Sequence, residues 1–331
     1  MSKTVSYFHA VNSGDLISSL PGMKHVYETT GKKAVIYQRL GMACNYYEGA
    51  KHPVKDEKGI QVTMNKKQWD LLTPLLLSQD YVESCHVWEG ETVDINLNKS
   101  REGDFTTMGY GMIQRWNWYC FPAMACDLSK PWLSVPEIKD FNINEKVILN
   151  FTERYRNSLI SYYFLKKYED RLIFAGTKDE YKNFCLENNL QIPYLEINNF
   201  YELAQYIRSC KFFLGCQSMC WNIAEALKIP RLLEVCKSAC NCIPVGDLAY
   251  DFLQQGALEF YFQRLIGEIP ELSKEPMFYY QHLQEGFKLG QIPIGMDLPE
   301  RAYSISKEHY DSIIELAKQT KNKYGKKNNL R

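Results

Sequence analysis

The chain has no surplus of charge of either sign: 39 Lys and Arg face 39 Asp and Glu, a formal net charge of zero at pH 7. A protein that grips nucleic acid or an anionic membrane through its overall field carries a basic excess. That mode of binding is excluded, while a local basic groove is not. No apolar run approaches the roughly 18 residues that span a bilayer. The opening MSKTVSYFHAV lacks the basic and then long apolar pattern of a secretory signal, so none is expected. G-x-G-x-x-G, a phosphate-binding lysine loop and a G-x-S-x-G elbow are all missing, which weighs against dehydrogenase, NTPase and hydrolase chemistry. Disulfide-scaffold character is lacking too. The eleven cysteines are odd in number and irregularly spaced over 331 residues. They read as reduced thiols of a cytoplasmic protein.

What is present is a chain long enough for two domains, 45% hydrophobic and 24% charged. Aromatics reach 14%, with 23 Tyr; a thick core accounts for them, as does a site for flat or sugar-like ligands. VSYFHA (5–10) reads as a strand and a helix starts near Asp15. KAVIYQRL (33–40) is a second strand, and residues 45–65 are a polar excursion or small hairpin. A helix follows at 66–79, then two alternating segments, VESCHVWEG and TVDINLNKS. Residues 101–133 carry a helical patch around WNWYCFPAMACDL. From KVILNF (146–151) onward strands and helices alternate, which implies a parallel sheet covered by helices. RNSLISYYFLKKYE reads as a helix after the first of these strands, and 248–268 as one long amphipathic helix. PEIKDFNINE (136–145) looks like the link between halves, and the tail is basic and polar.

The joint within FFLGCQSMCWNIAEALKIPRLLEV (212–235) concentrates the chemistry. Gly215 ends a strand and Cys216-Gln217-Ser218 turns into a helix with Ser218 as N-cap. Parallel sheets bind ligands at the carboxyl ends of their strands, where unpaired N–H groups of the next helix attract phosphate. Glu225, seven residues beyond Ser218, shares its helix face and would suit the hydroxyls of a ribose; it would equally pair with Lys228 or Arg231. Asp15 stands on the first turn of the first helix, where it caps or faces a cleft.

These segments together resemble the heptosyltransferase-like (family 9-like) branch of GT-B glycosyltransferases. The carrying residues are Gly14-Asp15-Leu16-Ile17 with Leu20-Pro21, then Tyr201-Glu202-Leu203-Ala204 before the strand and turn KFFLGCQS, while Trp221-Asn222 and Glu225-Ala226-Leu227 with Pro230 are similar to the donor-binding element of GT-B glycosyltransferases at large. The turn departs from that branch, having neither its Asp nor its His. The short, cysteine- and aromatic-rich chain is also similar to bacteriophage-type relatives. The resemblance implies an α/β fold of two Rossmann-like domains whose parallel sheets face a central cleft. Residues 1–140 would form the acceptor domain and 141–265 the nucleotide-sugar domain. A helical tail, 266–331, would pack back on the first domain.

It further implies a glycosyltransferase that moves a sugar from a nucleoside-diphosphate donor to an acceptor hydroxyl, inverting and metal-independent. Asp15 would be the base, with His9 beside it. Donor contacts would come from Gly14, Arg154, Arg156, Thr177, Lys178, Gln217, Ser218, Met219, Asn222 and Glu225. No cofactor or metal is expected beyond the nucleotide sugar as co-substrate; the partner is an acceptor glycan, lipid-linked sugar or modified nucleobase. The spacing of Cys236, Cys240 and Cys242 matches no common metal pattern. Trp116, Trp118 and Tyr119 form a stacking shelf or core. A nucleotide-sugar epimerase of the same fold and a non-catalytic nucleotide or partner binder remain as alternatives.

Overall fold

Within four residues of the end of the N-terminal β1 (Thr4–His9), the chain has already turned into its longest described helix. A computed structural model describes residues 3–44, 52–102, 112–139, 141–236 and 241–268. α1 (Ser13–Thr30) ends at Gly31, whose φ of 70° supplies the left-handed cap. Pro21 lies inside this helix and cannot donate to the carbonyl of Ile17. The indole N–H of Trp132 fills that vacancy at 3.1 Å, so a distant residue repairs the helix. β2 (Lys33–Gln38), α2 (Lys66–Leu77), β3 (Val82–Val87) and the two-residue β4 (Ile95–Asn96) complete a parallel sheet in the order β3-β2-β1-β4. The excursion before α2 is a small antiparallel hairpin, bridged at Ala43–Val62 and Lys55–Gln61; residues 45–51 of it lie outside the described residues.

After α3 (Ile113–Cys120) and the single turn α4 (Phe141–Asn144) comes the second sheet. Its strands are β5 (Val147–Asn150), β6 (Leu172–Phe174), β7 (Phe212–Cys216), β8 (Arg231–Glu234) and β9 (Ala249–Phe252). They run parallel in the order β6-β5-β7-β8-β9. β5, β7 and β8 are buried at every position; β5 and β7 accordingly read as near-continuous apolar runs rather than alternating ones, while β8 buries a charged residue at each end. Interleaved with them are α5 (Lys178–Glu187), α6 (Phe200–Ser209), α7 (Met219–Leu227) and, at the end, α8 (Gln255–Ile266). The architecture is α/β with two parallel sheets. α1 packs on α7 and α2 on α6, and one apolar cluster runs from Leu16 and Leu72 to Phe213 and Trp221, joining the two halves.

Three expectations change. The segment 248–268 is not one helix: Ala249–Phe252 pairs with β8 before α8 begins. Tyr250 and Phe252 bury against the second apolar cluster, and that burial overrides the helical pattern. RNSLISYYFLKKYE forms no α-helix; only a 3-10 stretch from Tyr163 to Arg171 is present. The backbone of Asn157 is instead claimed by the Glu234 carboxylate, and its side chain accepts from Leu159 N–H. TVDINLNKS contributes just two strand residues before a 3-10 turn. Residues 269–331, and with them nearly all of the expected tail, lie outside the described residues.

Candidate functional site

The carboxyl ends of both sheets open on one cavity of about 650 Å³, lined by Asn12 to Asp15, the hairpin residues His52 and Thr63, and Arg154, Thr177, Lys178, Ser218, Met219 and Asn222. The helices α1, α5 and α7 begin at its wall. α7 starts at Ser218, whose hydroxyl accepts from Trp221 N–H at 3.0 Å. The N–H groups of Met219 and Cys220 have no partner within the helix, as in any first turn. α5 starts at Thr177 in a capping box: Thr177 Oγ1 accepts from Glu180 N–H at 3.2 Å, and Glu180 Oε2 accepts from Thr177 N–H at 2.9 Å. α1 starts at Asn12 with no side-chain cap, so its first N–H groups are offered to the cavity. Convergent helix N-termini give a site that favours anions.

α1 and α7 meet closely here. A Cβ at Gly14 would stand 2.9 Å from Asn222 Nδ2. Asn222 staples the two helices by accepting from Ser18 Oγ at 2.6 Å and donating to Ser218 O at 2.9 Å. Gln217 donates to Asn241 Oδ1 at 2.6 Å and accepts from Cys236 N–H at 3.3 Å, tying both residues to the turn before α7. Asn222 and Gln217 line the cavity while shaping its wall.

Asp15 is on the first turn of α1, with its side chain 18% exposed, and its Oδ2 is 2.5 Å from Arg101 Nη2. Asn12 Nδ2 reaches the same oxygen at 3.5 Å. The Arg101 guanidinium lies 5.1 Å from the centre of the Trp116 ring, so Trp116 supports the cation rather than the cavity wall. Arg101 was not singled out by the sequence; it follows a polar run with no motif around it.

Of the two arginines after β5, only Arg154 lines the cavity. Its Nη1 donates to Nδ1 of His52, and the guanidinium lies over Tyr155 at 5.4 Å. Arg156 turns away. Its Nε sits 3.3 Å from Glu234 Oε1, and the fully buried Glu234 also accepts from Tyr162 OH and Asn157 N–H. The Arg156 guanidinium covers the Phe151 ring at 4.8 Å and borders a separate polar pocket of about 610 Å³. Strand periodicity cannot separate the two, because both follow the strand in irregular backbone.

Glu225 does not reach the cavity. It is fully buried, with Oε2 2.5 Å from Arg231 Nε, and Oε1 accepting from Lys228 Nζ and from Val245 N–H at 3.2 Å. Its carboxylate anchors β8 and the following loop, so the ribose contact expected of it is corrected. His9 is likewise withdrawn. It is 3% exposed, its Nε2–H donates to Ser19 Oγ at 2.9 Å, and burial together with Arg101 pushes its pKa down to about 3. Ser19 spends its own proton on Leu16 O, which fixes that tautomer. Lys178, at the mouth, pairs with Glu196 at 3.1 Å in solvent.

Asn150 was missed although its position signalled it: a lone polar residue closing the apolar run Val147–Leu149 at a strand's carboxyl end. It donates to Ala175 O at 2.6 Å, and its Oδ1, buried at the cavity floor, has no hydrogen-bond partner. Thr63 Oγ1 is a second buried, unpartnered oxygen on the opposite wall. The described cysteines are free thiols, and burial raises Cys242, at the cavity, to about 12. Cys240 lies outside the described residues. Among those described, no group of three His, Cys, Asp or Glu side chains is arranged to hold a metal, and no helix is long and apolar enough to cross a membrane.

No family model and no curated protein matches the chain. Solved structures do. Escherichia coli heptosyltransferase WaaC with ADP matches with a TM-score of 0.52 at 8% identity, over 79% of this chain and 99% of that one. The chain has a heptosyltransferase-like GT-B fold. A glycosyl transferase family 9 structure from Veillonella parvula covers 96% of both chains at 8% identity with a TM-score of 0.48. A putative UDP-N-acetylglucosamine 2-epimerase from Listeria monocytogenes matches at a TM-score of 0.42 and 8% identity, over 80% of this chain and 88% of that one. In this GT-B fold the cavity lies where parallel sheets place their ligands, beyond the carboxyl ends of the strands.

Proposed function

We propose that the protein is a glycosyltransferase that uses a nucleoside-diphosphate sugar. The observation behind this reading is the convergence of the α1, α5 and α7 N-termini with Arg154 on one cavity that also holds Asp15. The half built on the second sheet takes the donor, and the half built on the first shapes the acceptor site. The diphosphate sits against the N–H groups of Met219 and Cys220, with Arg154 adding a planar cation that matches phosphate oxygens. These fixed positive groups take the leaving-group charge, the part a metal ion plays in other sites, so the reaction needs none.

Asp15 accepts the proton of the acceptor hydroxyl. Arg101 and Asn12 both address Oδ2, which leaves Oδ1 to the acceptor. The acceptor oxygen bonds to the anomeric carbon from the side opposite the diphosphate, the bond to the diphosphate oxygen breaks, and the configuration inverts. The acceptor is a saccharide, lipid-linked or nucleobase hydroxyl, and the work is done in the cytoplasm.

The reading is tested by titrating ADP, UDP, GDP and CDP and their common sugars against the protein. One nucleotide should bind and raise the melting temperature by mass action. Asp15→Asn should keep that binding and lose turnover by about 10²-fold or more, the usual worth of a positioned base. Binding of none of them removes the proposal. Conversion of a donor in the absence of any acceptor would make the protein an epimerase.

A further inference from the structure

His52 stands on the hairpin of the first half, yet its ring reaches across the cavity to an arginine of the second half. Its surroundings leave one arrangement of protons. Nε2 lies 2.9 Å from the carbonyl of Val62, which can only accept, so Nε2 carries hydrogen. Nδ1 faces Nη1 of Arg154, which can only donate, so Nδ1 offers its lone pair. A protonated ring would set an N–H against an N–H. We propose that His52 is a positioning residue for Arg154, holding the guanidinium at the diphosphate position of the cavity through a hydrogen bond from Nη1 to the imidazole Nδ1. This rests on the nucleoside-diphosphate reading given above.

The contrast with Arg156 shows what the choice of partner does. Glu234 meets Arg156 with a full negative charge and draws it into a buried network. An imidazole fixes the direction of Arg154 through one nitrogen and adds no negative charge beside the phosphate site. Burial at 5% exposure and the neighbouring guanidinium keep the ring neutral, lowering its pKa to about 4. The Val62 carbonyl is itself tied into the hairpin, where Val62 N–H donates to Val54 O at 3.1 Å. The ring is therefore oriented by backbone before any ligand arrives, and ordering cost at binding is lowered.

The test measures binding of ADP, UDP, GDP, CDP and inorganic pyrophosphate by calorimetry to the full chain, wild type and variants, with melting temperatures taken in parallel. His52→Leu should weaken the diphosphate that binds by roughly 10- to 100-fold, the worth of a hydrogen bond to a charged group. Arg154→Ala should weaken it at least as much. The pair His52→Leu/Arg154→Ala should bind no worse than Arg154→Ala alone, because one effect acts through the other. His52→Asn places an acceptor oxygen near the position of Nδ1 and should recover most of the loss, which a merely structural role would not produce. Wild-type affinity in His52→Leu, additive effects in the pair, or no rescue by Asn would each overturn the positioning role while leaving the diphosphate site standing. A wild-type protein that binds none of the five probes would end the diphosphate reading, and the role of His52 with it.

Discussion

Replacing Glu225 with Gln separates a residue of the fold from a residue of the donor site. Its partner Arg231 is fully buried, and both Glu225 oxygens are occupied by Arg231, Lys228 and Val245 N–H. Gln keeps the shape and removes the charge. Arg231 is then left with the carbonyls of Ile229 at 2.7 Å and Val245 at 2.5 Å, neither of which neutralises it. Breaking one side of a buried ion pair costs about 3–5 kcal/mol. Against a total stability of roughly 5–15 kcal/mol, that is about a fifth or more of what holds the protein folded. With a urea dependence near 3 kcal/mol per molar, the unfolding midpoint should fall by roughly 1–2 M. Glu225→Leu combined with Arg231→Met should recover part of the loss, since it removes the stranded charge along with its partner. Nucleotide affinity, measured well below the new midpoint, should stay within a few-fold of wild type. An unchanged midpoint together with lost nucleotide binding would refute this reasoning and return Glu225 to the ribose.

Two more outcomes are expected. His9 and His52 have folded-state pKa values of about 3 and about 4, both below the ordinary histidine value. The unfolded chain therefore binds more protons below pH 6.5, and each histidine removes about 1.5 kcal/mol of stability between pH 7.5 and 5.5. Buried Glu180 and Glu234, pushed up mainly by desolvation, act in the opposite sense. The measurement is thus the difference in pH slope between wild type and His52→Gln, whose slope should be shallower; equal slopes would contradict the buried neutral ring. Gly215→Ala would set a Cβ 2.4 Å from the backbone oxygen of Asn150 and 2.9 Å from the Phe213 ring. It should cost about 3 kcal/mol or more in a denaturation midpoint, the upper range for overpacking. Gly256→Ala in α8 meets nothing within 4 Å and serves as the neutral control.

Much of the frame was readable because local chemistry and final structure agree there. The Ser218 cap and the Gly-Asp opening of α1 are short-range patterns, and each stands where its spacing put it. The misreadings share a cause. LAYDF resembles the start of an amphipathic helix until β8 offers it an edge to pair with, and the stretch after Thr152 reads as helix until Glu234 takes the N–H of Asn157. In both cases a partner 18 to 77 residues away in sequence supplied the hydrogen bonds that decided the backbone. His52 illustrates the same limit at the site: nothing within the hairpin sequence points to an arginine 102 residues on.

Alternation of apolar runs with short polar joints was enough, on the sequence alone, to point to parallel sheets with helix N-termini at their strand ends, where a ligand site is expected. Only the tertiary structure decided which charges serve it. Arg154 and Arg156 are two residues apart, and Glu225 shares a helix with Ser218. One of each pair meets the cavity, and the other is paired away from it, Arg156 with the buried Glu234 and Glu225 with the buried Arg231. A buried charge must find its counter-ion wherever packing places one, and that partner is set by the three-dimensional approach of strands and loops rather than by spacing along the chain.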